Sequence, residues 1–178
     1  MSNCRPTLPI SEWCAATMAV LAIAAASAPG SAAIRDAAPV ASREFPALRL
    51  DRGGAVPIAA LRGHPAIVNF WASWCIPCRA ELASLERLAA RRPGRIEVIA
   101  ASVDDDPAAA RIAFGAAYPH LRLAFASLRD VESYGALGMP YSVVLDPEGR
   151  EVRRVTRAID WTGADGAGIL ALAGRGAR

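Results

Sequence analysis

The chain has 178 residues, enough for one ordinary domain plus an N-terminal extension. Its 20 basic side chains are all arginine and nearly balance 17 acidic ones, leaving a formal charge of +3. The arginines are scattered, and the short clusters Arg91-Arg92 and Arg153-Arg154 with Arg157 read as solvated faces, which argues against a nucleic-acid partner.

The chain opens on a short polar lead containing Arg5, followed by an unbroken run of apolar and small residues from Trp13 to Ala26 and then Ser27-Ala28-Pro29-Gly30-Ser31-Ala32-Ala33. That order is the order of a secretory signal, with a processing zone of small residues. The run falls short of the roughly 20 residues a spanning helix needs. Residues 1–33 are therefore expected to be a signal peptide, with an uncleaved membrane anchor as the alternative, and 34–44 a flexible lead-in. Cys4 and Cys14 fall inside that segment, so the exported chain keeps Cys75 and Cys78. Two cysteines three apart cannot staple distant parts of a fold, and they read as chemistry rather than framework.

Downstream, Leu48-Arg49-Leu50, a glycine turn at Asp51–Gly54 and Val56–Ile58 predict a hairpin. Ala66–Trp71 has a buried-strand pattern and runs into a helix beginning at the Cys75 motif, with Leu82, Leu85, Leu88 and Ala89 at helical spacing and Pro93-Gly94 as its stop. A strand at Ile96–Ser102 precedes Asp106-Pro107, a strong helix start. The helix that follows carries Ile112 and Phe114. Then come a strand at Leu121–Phe125, a short helix at Asp130–Leu137, and strands Tyr141–Leu145 and Glu151–Thr156 around a turn at Asp146–Gly149. A last helix covers Gly163–Leu172, before a short tail at 175–178. Strands alternating with helices, closed by a hairpin and a helix, predict one α/β domain with a mixed sheet.

Cys75-Ile76-Pro77-Cys78 sits where a buried strand passes into a helix. A thiolate at a helix N-terminus is stabilised by unpaired N–H groups and the helix dipole, and in such motifs its pKa falls to about 3.5–7.5. Cys75 is thus the expected nucleophile, and Cys78, one turn later, the resolving thiol. Pro77 suits the first turn, and Trp71 and Trp74 supply apolar walls. Zinc also uses C-x-x-C, but needs about four ligands. Beyond the pair, residues 34–178 offer His64 and His120, far apart and each beside a proline, so no metal site is expected.

The stretch Val68-Asn69-Phe70-Trp71-Ala72-Ser73-Trp74-Cys75-Ile76-Pro77-Cys78-Arg79-Ala80-Glu81-Leu82 resembles the active-site segment of the TlpA/ResA-like thioredoxin family. Leu61-Arg62-Gly63-His64, Gly138-Met139-Pro140, Val143–Arg150 and Asp160-Trp161 match in order and spacing, so the resemblance covers nearly all of 45–174. It implies a thioredoxin-like α/β fold, a mixed central sheet flanked by helices with an N-terminal β-hairpin extension. It implies a periplasmic, often membrane-tethered thiol–disulfide oxidoreductase, usually a reductase of apocytochrome c or other envelope thiols. Such a protein needs no cofactor beyond its Cys75–Cys78 disulfide, takes electrons from a membrane thiol donor and is expected to act as a monomer. By the same resemblance, Pro140 is the cis-proline facing the redox pair and Met139 a backbone partner for an extended substrate. Glu81 exchanges the proton of Cys78. Asn69 stands where ordinary thioredoxins have a buried Asp, which moves proton handling toward Glu81.

Two other readings share these residues. An envelope oxidase or isomerase would run the same chemistry in the opposite direction, although the Ile76-Pro77 loop lacks the His of strongly oxidising members. A copper-delivery module of the same fold calls for wider cysteine spacing and a suitably placed His, both missing here.

Overall fold

The computed structural model describes residues 47–174. The expected export segment at 1–33 with Cys4 and Cys14, the whole lead-in at 34–44 and the tail at 175–178 lie outside the described residues. The elements in chain order are β1 (Leu48–Leu50), β2 (Ala55–Val56), a single 3-10 turn (Ile58–Ala60), β3 (Ala66–Trp71), α1 (Ile76–Arg91) and β4 (Glu97–Ser102). They continue with α2 (Pro107–Phe114), β5 (Arg122–Phe125), α3 (Leu128–Ser133), β6 (Tyr141–Leu145), β7 (Glu151–Val155) and α4 (Ala164–Ala173).

All seven strands join one mixed sheet in the order β2-β1-β5-β4-β3-β6-β7. β3, β4 and β5 run parallel, while β6 and β7 on one side and β1 and β2 on the other are antiparallel to their neighbours. The expected N-terminal hairpin thus extends the sheet at β5. Every residue of β3 is buried, as a central strand covered on both faces demands, and Asn69 is its one polar member. α1 turns Leu82, Leu85, Leu88 and Ala89 inward and packs on β3 and β4, while α4 packs on β6 and β7. The register pairs Asn69 of β3 with Ser142 of β6. No helix among the described residues is long and apolar enough to cross a membrane.

Local punctuation behaves as the residue types dictate. The Asp106 carboxylate accepts from the Ala108 N–H at 2.8 Å, with Pro107 opening α2. Gly149 closes the β6–β7 turn at φ +80°, where a Cβ would lie 2.8 Å from the Ala59 carbonyl oxygen; only glycine fits that approach.

Three expectations need correction. Ile112 is 83% exposed, because α2 is a short helix whose inward positions are Ala110 and Phe114, four apart. α3 starts earlier than expected, since the Ser127 hydroxyl caps it by accepting from the Asp130 N–H at 3.1 Å, and it stops before Gly135, which takes φ +108°. Arg154 does not lie on a solvated face. Its side chain is buried, pairs with Glu151, donates to the Tyr134 carbonyl at 2.9 Å and lies 4.4 Å from the Tyr134 ring centroid. It thereby ties the chain leaving α3 to β7.

Two glycines of α4 separate packing from propensity. A Cβ on Gly166 would meet the Trp161 carbonyl oxygen at 2.3 Å, whereas one on exposed Gly168 would meet nothing within 4 Å. Gly166→Ala should therefore lower the unfolding free energy by about 1–3 kcal/mol through overpacking. Gly168→Ala should raise it by about 0.5–1 kcal/mol, because alanine is the better helix former. Urea denaturation of the two variants checks this, and a Gly166→Ala protein as stable as Gly168→Ala would contradict the packing.

Candidate active site

β3 ends at Trp71, and the next four residues carry the chain to the start of α1. That loop is pinned from the side by the end of β4. The Val103 N–H donates to the Trp71 carbonyl at 2.9 Å. The Asp104 carboxylate accepts from the Ser73 N–H at 2.9 Å, the Ser73 hydroxyl at 2.7 Å and the Ser102 hydroxyl at 2.7 Å. Cys75 is held as the N-cap of α1, its own N–H donating to the Ala72 carbonyl at 3.1 Å.

Cys75 and Cys78 are joined in a disulfide. The Cys78 N–H points back at the Cys75 sulfur, 3.3 Å away. Pro77 carries no N–H, so in this first turn the Cys78 amide is the donor aimed at that sulfur. The arrangement favours negative charge on Cys75 once the bond opens. Cys75 is 6% exposed and Cys78 fully buried, so the first sulfur is the one an incoming group can reach. Pro77 itself lies on the surface.

The surroundings of the pair are apolar and open. A groove of about 620 Å³ runs beside Cys75, lined by Trp74, Leu128, Glu132, Leu137 and Met139 among others. Trp74 is 65%, Ile76 79% and Leu137 fully exposed. Of the five large hydrophobic residues exposed among the described residues, Trp74, Leu128 and Leu137 line this groove and Ile76 adjoins it. Trp71, by contrast, is fully buried, 6.0 Å from the Phe114 ring, and belongs to the core. The Met139-Pro140 peptide bond is cis, with Met139 at the groove and Pro140 buried at the start of β6.

Behind the disulfide, one helical turn beyond Cys78, lies Glu81, only 2% exposed. Its carboxylate oxygens take three donors: Trp161 Nε1 at 2.9 Å and the Ile159 N–H at 3.3 Å on Oε1, and Asn69 Nδ2 at 2.8 Å on Oε2. Asn69 Nδ2 also donates to Ser142 Oγ at 2.8 Å. Burial pushes the Glu81 carboxyl well above the ordinary carboxylate range, to about 7, against the pull of the Trp161, Ile159 and Asn69 hydrogen bonds and the Arg157 charge. Desolvation outweighs three hydrogen bonds here.

The structure thus brings Trp74, Cys75, Met139 and Pro140 to one side of the redox pair and Glu81 to the buried side. The family resemblance takes in Asp160-Trp161 but gives Trp161 no part in the site, and no sequence motif marks Ser142, Ser84 or Asp104 as site residues. Ser84 Oγ donates to the Glu81 carbonyl at 2.8 Å and accepts the Trp161 N–H at 3.2 Å, holding the indole's segment against α1. A signal existed for Ser142: a hydroxyl inside the apolar run Tyr141–Leu145 must find a buried partner.

Comparison with known proteins fits this geometry. The redoxin family model matches residues 36–170. The chain is 35% identical over 123 residues to the thiol:disulfide interchange protein HelX of Rhodobacter capsulatus, covering 65% of this chain and 68% of HelX. It is 32% identical over 104 residues to the thiol:disulfide interchange protein CycY of Rhizobium leguminosarum bv. viciae, covering 58% of this chain but only 41% of CycY. In fold it is similar to a thiol-disulfide oxidoreductase from Bacteroides fragilis, with a TM-score of 0.59 and 24% identity over 72% of this chain and 98% of that one. The chain belongs to the redoxin family, as a TlpA/ResA-like thiol–disulfide oxidoreductase of thioredoxin fold.

Proposed function

We propose that this oxidoreductase is an exported reductase of protein disulfides, apocytochrome c thiols among them, recharged by a membrane thiol donor. The observation that carries the reading is the asymmetry of the pair: the Cys75 sulfur reaches an open apolar groove while Cys78 is sealed against the buried Glu81 side. In the reduced protein the Cys75 thiolate attacks a substrate disulfide, forming a mixed disulfide and releasing one substrate thiolate. The Cys78 thiol gives its proton to the Glu81 carboxylate. The Cys78 thiolate then attacks the Cys75 sulfur, closing the protein disulfide and releasing the second substrate thiolate. The substrate gains two electrons and the protein dithiol loses them, so no cofactor beyond the pair takes part.

Trp74 and Met139 offer the apolar contact for the segment flanking the substrate cysteine, with Pro140 and Pro77 shaping the two loops that meet at the pair. The direction of electron flow rests on the Ile76-Pro77 loop, which places no cation between the cysteines to favour the reduced form. Export rests on the apolar run Trp13–Ala26 and the small-residue zone after it. A periplasmic location and action as a monomer belong to the same proposal.

Cys75→Ala should abolish insulin disulfide reduction, whereas Cys78→Ala should accumulate mixed disulfides detectable by mass spectrometry. Retained turnover in Cys75→Ala would overturn the assignment of the nucleophile. Direction is read from the reduction potential of the couple in dithiothreitol or glutathione buffers. A value near that of thioredoxin, about −270 mV, is expected, and one near about −120 mV would make the protein an oxidant instead.

A further inference from the structure

Every group at the Glu81 carboxylate is a donor: the Trp161 indole N–H, the Ile159 amide and Asn69 Nδ2. That set suits the ionised form and offers the protonated form no acceptor. One stands on the next atom. Asn69 Oδ1 is buried and makes no hydrogen bond, while Nδ2 of the same amide serves both Glu81 Oε2 and Ser142 Oγ. A buried carbonyl oxygen without a partner is unfavourable, and an amide turned through half a revolution would give it partners while leaving Nδ2 without them.

We propose that Asn69 is a positioning residue whose side-chain amide turns over when Glu81 gains a proton, presenting Oδ1 in place of Nδ2 to the carboxyl and to Ser142. In the ionised state Nδ2 donates to Glu81 Oε2 and Ser142 Oγ. In the protonated state Oδ1 accepts from the Glu81 Oε2–H and from the Ser142 hydroxyl, whose hydrogen rotates toward it. Each state makes two bonds at the amide and leaves one end of it unpaired. The two orientations are therefore closely balanced, and the proton decides between them. The proton enters from the Cys78 thiol during exchange or from solvent.

The neighbouring groups leave this choice to Glu81. α1 contributes Cys78, held in the disulfide; the segment after β7 contributes the Arg157 charge, which favours the ionised form. β3 contributes Asn69 and β6 Ser142, both uncharged, joined across the register pair of the two strands. The inference shares Glu81 with the proposed exchange mechanism, but its test needs no substrate and no turnover.

Asn3 and Asn69 are the only asparagines in the chain, and it contains no glutamine. The oxidised protein labelled with ¹⁵N at asparagine Nδ2 therefore gives two side-chain amide pairs in a ¹H–¹⁵N spectrum, assigned by Asn3→Ala. The Asn69 pair should move between two positions with a midpoint near pH 7, in step with the Glu81 carboxyl carbon. In Glu81→Gln the carboxamide NH₂ stands in for the protonated acid, so with the same asparagine label the Asn69 pair should sit at the low-pH position at every pH. An Asn69 pair that stays still while Glu81 titrates would overturn the proposal. So would a Glu81→Gln spectrum with that pair at the high-pH position. The wild-type titration decides the matter even if the variant fails to fold. Loss of activity with a moving Asn69 signal would count against the exchange mechanism alone.

Discussion

A carboxylate withheld from water and met by three donors is the interaction on which the rest of this site depends. Glu81 draws together α1, which carries it, β3 through Asn69, and the 159–161 segment through Trp161 and the Ile159 amide. Those elements are far apart in the chain, so this one side chain adds a polar tie to the apolar packing that seats the redox helix on the sheet. The interaction is expensive as pH rises. Below the ordinary carboxylate pKa both folded and unfolded chains hold the proton and nothing is lost. Between about 4.5 and 7 the unfolded chain sheds it while the native protein keeps it, so stability falls with rising pH, by about 3 kcal/mol in all. A sequence selected only for stability would place an apolar residue there. The proposed proton exchange with Cys78 gives that cost a use.

The same fold holds the two sides of the disulfide in different environments. On the outer side the loop from Trp71 to Cys75 is tied to β4 by Asp104, and the Met139-Pro140 loop lies at the other wall of the groove. Arg154 steadies that second loop at its base by gripping Tyr134, where α3 ends. Trp74, Ile76 and Leu137 are exposed there. On the inner side Cys78 and Glu81 share one helix face and are both buried, so the proposed proton transfer between them would run within the protein interior.

Much of this was legible in the residues because it obeys local rules. The apolar run of β3, the helix opening at Cys75 and Pro77, Asp106-Pro107 and the 146–149 turn each declare themselves within a few positions. Cys75 and Cys78 follow from their spacing, and Glu81, three residues on along the same helix face, is picked out by the family resemblance. What could not be read depends on contacts set by strand register and tertiary fit. Ser142 matters because β6 lies antiparallel to β3 with that residue opposite Asn69. Trp161 matters because Gly166 lets α4 sit against its backbone. Arg154 resembles any surface arginine until α3 is seen to end above it, and Ile112 resembles a core residue until α2 proves too short to bury it. Charge and periodicity are silent on such pairings.

The claim that ties these features together is that burial keeps the Glu81 carboxyl poised near neutrality behind the disulfide. Its most direct test is the side-chain carboxyl ¹³C titration of Glu81 in the oxidised full-length protein. A midpoint near pH 7 is expected. A midpoint in the ordinary range for an exposed glutamate, about 4.3, would mean that the site is wet and that Glu81 is not its proton acceptor.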